Sequence, residues 1–219
     1  MKFYEIIRNQ DLIGVLRIFS LQKKWNLALI IEDDRNKKGV SESLELELRQ
    51  NDLFQDFEIL PFTSRPLYAS IINGFITLKS RLCSISPSIC GQKLTKFSFN
   101  DESTMSTRDK RLLSECKDTN VNDSDHSLEM ININKDNKLN DNNQEFAKTA
   151  MLNIFPQINA RILMTGNLDS DYWDTFVLVR YPSKKVFCEM MKSVEYRRIQ
   201  PLKISGLDDA FTSLAKRIA

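Results

Sequence analysis

The chain has 219 residues, of which 42% are hydrophobic and 27% charged, and its formal net charge is +2. This length suits one large domain or two small ones, and the composition is that of an ordinary globular protein. Only 6 Gly and 6 Pro are present, which excludes a collagen-like or linker-dominated chain. The near-neutral charge gives no case for binding to nucleic acid or to an anionic membrane.

The N-terminal residues and the cysteines bear on the cellular compartment. Glu5 and Arg8 interrupt the N-terminal segment, which therefore lacks the apolar core of a signal peptide. No run of residues approaches the ~20 apolar residues that span a bilayer. Four cysteines, at 83, 90, 116 and 188, lack a CxxC pair, and His126 is the only histidine. Structural zinc needs paired ligands at short spacing. We therefore expect a cytoplasmic protein with reduced thiols, no metal and no cofactor.

The first hundred residues predict a mixed α+β region. Residues 13–19 and 25–31 are typical of two strands joined by a polar turn. Residues 41–48 alternate leucine with glutamate, which favours a strand, although a helix also fits. A helix is predicted over 64–82, with Pro66 in its first turn, where the missing N–H costs little.

The middle of the chain is acidic and poor in apolar residues. We interpret residues 101–127 as a polar linker or long loop, with at most one short helix near 108–116. Residues 132–143 are rich in asparagine. Codon bias and function both explain this enrichment, and composition alone does not distinguish between them. A calcium loop starting at Asn134 is excluded because Lys138 and Leu139 stand where an oxygen ligand and a glycine are needed.

The C-terminal part, 128–219, has the clearest pattern. Strands are predicted at 128–133, 160–165, 174–181 and within 208–214. One helix is predicted to run from a cap at Asp141 or Asn142 to about Phe155, and a second to run from a cap at Ser183 to Pro201. The order is β-α-β-β-α-β, the split-βαβ or ferredoxin-like arrangement. The strand 174–181 is apolar on both faces, which predicts a central, buried position.

A possible internal repeat links the two halves of the chain. Residues 57–74 align with 176–193, and Phe57 and Ser64 recur as Phe176 and Ser183. Any strand–turn–helix gives a similar pattern, so two readings stay open. Either the match is generic, or residues 1–100 are a diverged copy of the C-terminal module.

Several C-terminal motifs resemble a known family. They are EMININK (129–135), ARILMTGNLDS (160–170), the stretch 173–201 with its WD, RYPS and EYRRIQP elements, and GLDDA (206–210). Together they resemble the domain of unknown function 1330 family, a branch of the dimeric α/β-barrel superfamily. The resemblance covers 128–219. It implies ferredoxin-like units whose sheets pair face to face, with a cavity between sheet and helices, and it brings no established activity.

The chain departs from that family after the second predicted helix. The family usually has Pro-His-Arg where this chain has Pro201, Leu202 and Lys203. The imidazole that general acid–base chemistry would use is therefore missing. Lys203 can still hold an anion, as a point charge without the fork of an arginine.

Five residues are candidates for ligand binding. Asp174 and Arg180 lie six positions apart on one strand face, hence ~20 Å apart, which excludes a single catalytic dyad. They either anchor the ends of the sheet or line a cavity. Tyr181 lies on the opposite face, and Tyr196 either points its hydroxyl into a cavity or is a half-buried core residue. Lys203 is the candidate anion site, and no catalytic residue is identified.

Two functional hypotheses follow. The first is a non-catalytic protein that binds a small apolar or anionic molecule or another protein, because no catalytic triad, metal cluster or phosphate loop is recognisable. The alternative is a cofactor-independent enzyme of the monooxygenase or isomerase kind acting in the sheet–helix cavity, by analogy of fold. The apolar sheet face left bare by the helices predicts either a homodimer or an intramolecular pseudo-dimer with the N-terminal half.

Overall fold

One antiparallel sheet contains strands from both halves of the chain. The computed structural model describes residues 11–19, 27–32, 46, 48–50, 59–85, 105–118 and 127–217. The fold class is α+β, as predicted. Within the described residues the strands are β1 Asp11–Phe19, β2 Leu27–Glu32, β3 Phe62–Ser64, β4 Leu128–Asp136, β5 Arg161–Leu168, β6 Thr175–Tyr181 and β7 Leu207–Arg217. They form one sheet in the order β2-β1-β7-β4-β6-β5-β3, with every neighbouring pair antiparallel.

Helices connect the strands on one face of the sheet. They are α1 Pro66–Ile85, α2 Thr107–Asp118, α3 Asn142–Thr149, a π-helical turn Ala150–Ile154, α4 Phe155–Ile158, α5 Lys184–Met191 and α6 Val194–Ser205. Ser183 and Ser193 cap α5 and α6, each accepting a hydrogen bond from a backbone N–H three residues on. Asn159 ends α4 with a φ of 56°, the left-handed conformation that asparagine tolerates at a helix C-terminus.

The described C-terminal residues, 128–217, have the predicted β-α-β-β-α-β order of elements. Strands β4 and β5 run parallel with β6 between them, and the chain crosses from one to the other through α3 and α4. Strands β6 and β7 are likewise separated by β4 and joined through α5 and α6. β4 and β6 therefore lie at the centre, as the apolar character of β6 predicts.

Two element predictions are wrong. Leu46, Leu48 and Arg49 are helical, whereas alternation favoured a strand. Leu48 is buried and Leu46 is 60% exposed, because residues two apart lie on different sides of a helix. The second predicted helix is broken at 192–193 into α5 and α6, and α6 continues through Pro201 to Ser205.

The segment predicted to be a linker contributes to the core. Helix α2 contacts α5 and β7, and its Leu112 and Leu113 are buried together with Met105. The short helix expected near 108–116 is therefore present as α2, Thr107–Asp118, and it is packed where a linker was expected. Residues 101–104 and 119–126 of that segment lie outside the described part of the chain.

The N-terminal strands extend the C-terminal sheet at both edges. β1 pairs with β7, and β3 pairs with β5 at 166–168. Gly166 permits this last approach, since a Cβ there would lie 2.9 Å from Phe62 Cδ2. Next to it, the Asn73 side chain of α1 donates to Ile162 O (2.6 Å) and accepts from Ile162 N (3.0 Å). The described N-terminal strands thus join the same sheet and do not form a second sheet facing it.

The two faces of the sheet carry separate apolar clusters. The helix-covered face holds the larger one, which includes Met130, Val179, Tyr181 and Leu214 and continues into the helices. The opposite face, hereafter the second face, holds Ile30, Ile131, Phe176, Leu178 and Ala215. Ile131 and Leu178 at its centre are only 3% and 4% exposed in the single chain.

Candidate functional site

A cavity of about 1020 Å³ lies between the helix-covered face of the sheet and the α3–π–α4 segment. Its floor is formed by side chains of β4, β5 and β6, and α5 and α6 close one side. Alternation places every second residue of β4 and β6 on this floor. The chain therefore positions a row of side chains from Met130 to Asp136 along the cavity.

The floor is polar where β4 continues beyond Met130. Asn132 is buried, and its Oδ1 accepts a hydrogen bond from Thr212 Oγ1 at 3.1 Å. Asn134 is 7% exposed, and its Nδ2 donates to Thr175 Oγ1 at 3.4 Å. Asn134 Oδ1 is buried and has no hydrogen-bond partner among the described residues. The cavity is therefore lined by a residue with an unpartnered acceptor.

Asp136 continues this polar row at the end of β4. Its Oδ1 accepts from Asn143 Nδ2 at 2.6 Å, and its backbone N–H donates to Asp174 Oδ2 at 2.9 Å. Burial raises the pKa of the Asp136 carboxyl, the Asn143 hydrogen bond opposes this, and the charge of Asp174 adds to it. The carboxyl is thus held in a fixed position at the mouth of the cavity.

The asparagine-rich segment builds the rim of the cavity. Asn140 Nδ2 donates to Ser205 O at 3.1 Å, and Asn142 Nδ2 donates to Ser205 Oγ at 2.9 Å, which ties the start of α3 to the end of α6. Gly206 makes this approach possible, because a Cβ there would lie 2.7 Å from Asn143 Cα. Sequence analysis left this composition unexplained, and its hydrogen bonds explain it.

The apolar part of the cavity is aromatic and methionine-rich. Tyr181 packs edge to face against Phe187 and Phe155, with ring centroids 4.9 Å and 6.3 Å apart. Met190 and Met191 are 2% and 1% exposed beside them. Burial raises the pKa of the Tyr181 hydroxyl, so this residue stays neutral. The cavity therefore combines one polar and one apolar region.

Lys203 and Tyr196 line the cavity from α6. Lys203 is 7% exposed, and its Nζ lies 5.4 Å from the centroid of the Phe146 ring, which also packs edge to face against Tyr196. Burial lowers the pKa of the Lys203 amine to about 7; the charge of Arg108 lowers it further and that of Asp109 opposes the shift. Burial also raises the pKa of the Tyr196 hydroxyl.

The structure separates the five predicted site residues. Tyr181, Tyr196 and Lys203 line the cavity, whereas Asp174 and Arg180 are not among its lining residues. Arg180 lies on the second face, where its Nη2 is 2.7 Å from Oε1 of the buried Glu129. Asp174 accepts the Asp136 N–H at the end of the sheet. Their contacts are those of the sheet-anchoring alternative.

Sequence analysis did not detect that the N-terminal half supports the cavity wall. Lys79 Nζ of α1 donates to Leu152 O of the π-helical turn at 2.6 Å, and Tyr68 OH lies 3.8 Å from Met151 Sδ. π-Helical turns of this kind occur frequently at functional sites. The contacts join residues more than 70 positions apart, and no local pattern signals them.

The remaining candidate chemistry lies away from the cavity floor. The described residues contain no group of three or more His, Cys, Asp or Glu that could hold a metal ion. Cys188 is partly buried and forms no disulfide, whereas Cys83 is disulfide-bonded, so the expectation of reduced thiols is wrong for Cys83. Cys90 and His126 lie outside the described residues.

Two further findings complete the description of the site. In the described part of the chain, no helix has the length and apolar character needed to cross a bilayer. No protein-family model, no curated protein and no solved structure matches the chain.

Proposed function

We propose that the protein binds a small organic molecule in the cavity between the sheet and the α3–π–α4 segment. The observation that carries the proposal is the buried, unpartnered Oδ1 of Asn134, a residue that lines the cavity. An unsatisfied buried acceptor costs about 1–3 kcal/mol, and a donor on a bound molecule would remove that cost. The cavity volume is at the upper end of the ~300–1,000 Å³ that is usual for small-molecule sites.

The two regions of the cavity define the ligand. Asn134 and Asp136 can accept hydrogen bonds from donors on the ligand, and the Tyr181 and methionine side chains can pack against an apolar or aromatic part of it. A small amphipathic molecule with a hydroxyl or amine group fits both. This refines the expectation of a small apolar or anionic ligand.

We also propose that residues 128–217 are a ferredoxin-like unit related to the domain of unknown function 1330 family. The β-α-β-β-α-β order and the two helical crossovers on one face support this assignment. The motifs at 129–135, 160–170, 173–201 and 206–210 support it as well. The resemblance implies a sheet–helix cavity, and the candidate site is such a cavity.

We further propose that one copy of the chain suffices for a stable fold. Ile131 and Leu178 lie at the centre of the second face, which a bare sheet would leave open to solvent. They are 3% and 4% exposed in the single chain. The low exposure of these two side chains in a single chain favours a monomer over a homodimer.

The test uses 4-methylphenol as a probe, because it has an aromatic body and one hydroxyl donor. We expect saturable binding of one molecule per chain by isothermal titration calorimetry or native mass spectrometry. Asn134→Ala should weaken it roughly two- to tenfold, the equivalent of one hydrogen bond. Asn137→Ala is the matched control, since Asn137 lies outside the cavity in the turn that follows β4.

Native mass spectrometry of protein purified from its own host completes the test. A retained small molecule that 4-methylphenol displaces would support the proposal. Binding equal in Asn134→Ala and the wild type would contradict the site. Conversion of the retained molecule during incubation would favour the alternative, a cofactor-independent enzyme.

A further inference from the structure

We infer that Lys203 is a nucleophilic amine that forms an imine with an aldehyde or ketone group of a molecule bound in the cavity. The inference rests on the proposed function and deepens it, because it names the chemical class of the ligand. It concerns a residue that sequence analysis treated only as a cation for holding anions.

The first support is the geometry of Lys203. Its side chain is more than nine-tenths buried yet lines the cavity. Among the described residues its Nζ makes no hydrogen bond and no ion pair, and it lies over the face of the Phe146 ring, 5.4 Å from the ring centroid. A buried lysine held for structure usually has a carboxylate partner. Within the described part of the chain this amine has no such ion pair, and its residue lines the cavity.

The second support is the local charge. Gln200, one turn earlier on α6, donates a hydrogen bond to Asp109 Oδ2, while Asp109 Oδ1 is buried and has no hydrogen-bond partner among the described residues. Arg108 and Asp109 of α2 are the charged groups that act on the Lys203 amine, and their effects have opposite signs. Desolvation therefore dominates, and the pKa of Lys203 falls to about 7. Enzymes activate Schiff-base lysines by the same desolvation.

The chemical step balances without an external reagent. The Nζ lone pair attacks the carbonyl carbon, a C–N bond forms, and the carbonyl oxygen takes a proton to give a carbinolamine. The C–O bond then breaks, water leaves, and nitrogen loses its remaining proton to give the imine. No oxidant or reductant is consumed. The reverse reaction with water releases the ligand, so the attachment is reversible.

Reductive trapping tests the inference on the full chain. Limiting formaldehyde, which fits any cavity, and 4-hydroxybenzaldehyde, which resembles the 4-methylphenol probe but carries a carbonyl, are each added with sodium cyanoborohydride at pH 7. At this pH an ordinary lysine is neutral in roughly one molecule in 3,000, whereas a pKa near 7 leaves about half neutral. Its lower basicity offsets part of this gain. We expect Lys203 to be modified at least about tenfold faster than the other lysines, as mapped by peptide mass spectrometry.

Variants separate reactivity from fold. Lys203→Met keeps the buried stem and should lose the fast modification, while Lys185→Met, at an exposed lysine of α5, should leave it unchanged. Lys203→Arg keeps the positive charge and should also lose it. The wild-type peptide map needs no variant, so a poorly folding variant does not decide the result. 4-Methylphenol should slow trapping at Lys203 and at no other lysine.

Each outcome has one meaning. Fast modification of Lys203 by both aldehydes supports the inference. Modification by formaldehyde at the rate of the other lysines overturns the nucleophilic amine. Fast modification by formaldehyde without any by 4-hydroxybenzaldehyde overturns the carbonyl ligand. If 4-methylphenol binds but trapping is unselective, the proposed function stands and this inference falls. If trapping at Lys203 is selective but 4-methylphenol does not bind, this inference stands and the proposed binding of such a molecule falls.

Discussion

Phe187→Ala tests the packing of α5 on the sheet. Phe187 is fully buried, and its ring lies 4.9 Å from that of Tyr181 at an interplanar angle of 71°. Removing a buried phenylalanine costs about 3–5 kcal/mol in lost transfer free energy and cavity formation. The edge-to-face pair adds roughly 0.5–1.5 kcal/mol. The space created also adjoins the existing cavity, so we expect a loss of about 4–5 kcal/mol in the free energy of unfolding.

Urea denaturation followed by circular dichroism measures this loss. For an m-value of roughly 2–3 kcal/mol/M, the midpoint should fall by about 1.3–2.5 M while m stays constant. Phe75→Ala is the matched control, because Phe75 lies on α1 and is 41% exposed; it should cost less than about 1 kcal/mol. A loss below about 1 kcal/mol for Phe187→Ala would refute the assigned orientation of α5.

Three further predictions concern charge, packing and assembly. Because the pKa of Lys203 falls from 10.5 to about 7 on folding, the folded chain binds fewer protons between these values, and its stability rises with pH across that window. Urea titrations should therefore show Lys203→Met stabilising the chain more at pH 6 than at pH 9, by on the order of 2 kcal/mol; equal effects at both would contradict the burial of a charge. Gly206→Ala should cost about 1–3 kcal/mol and weaken 4-methylphenol binding, since its Cβ would meet the Asn143 backbone; unchanged thermal unfolding and binding would show that α3 shifts freely. Analytical ultracentrifugation should give a 25.4 kDa monomer, and a dimer at micromolar concentration would overturn the proposal that one copy of the chain suffices for a stable fold.

The C-terminal elements were predictable because their signals are local. β6 was predicted to within one residue, since it is apolar on both faces and ends at Pro182. The Ser183 cap of α5 was predicted from a single side chain followed by a helical pattern. Strand alternation placed Tyr181 on the face opposite Asp174 and Arg180, whereas for Tyr196 a cavity position and a core position both stayed open.

The parts that sequence analysis missed depend on contacts between distant residues. The short helix near 108–116 was expected, but not its packing, because the segment around it has few apolar residues; Leu112 and Leu113 of α2 are nevertheless buried. The polar floor of the cavity is another case, since Asn134 has the same local signature as the partly buried asparagines that follow it. Only the crossing of β4 beneath α3 distinguishes it.

The Asn73 amide on β5 also bears on the solubility of the chain. Strand edges with unpaired N–H and C=O groups are templates for pairing with other chains. Asn73 occupies both polar groups of Ile162, Arg65 N–H donates to Thr165 O at 2.8 Å, and β3 covers the residues beyond. Helix α1 thus protects this part of the β5 edge from pairing with another chain, because the Asn73 carboxamide makes the two hydrogen bonds that a neighbouring strand would otherwise make.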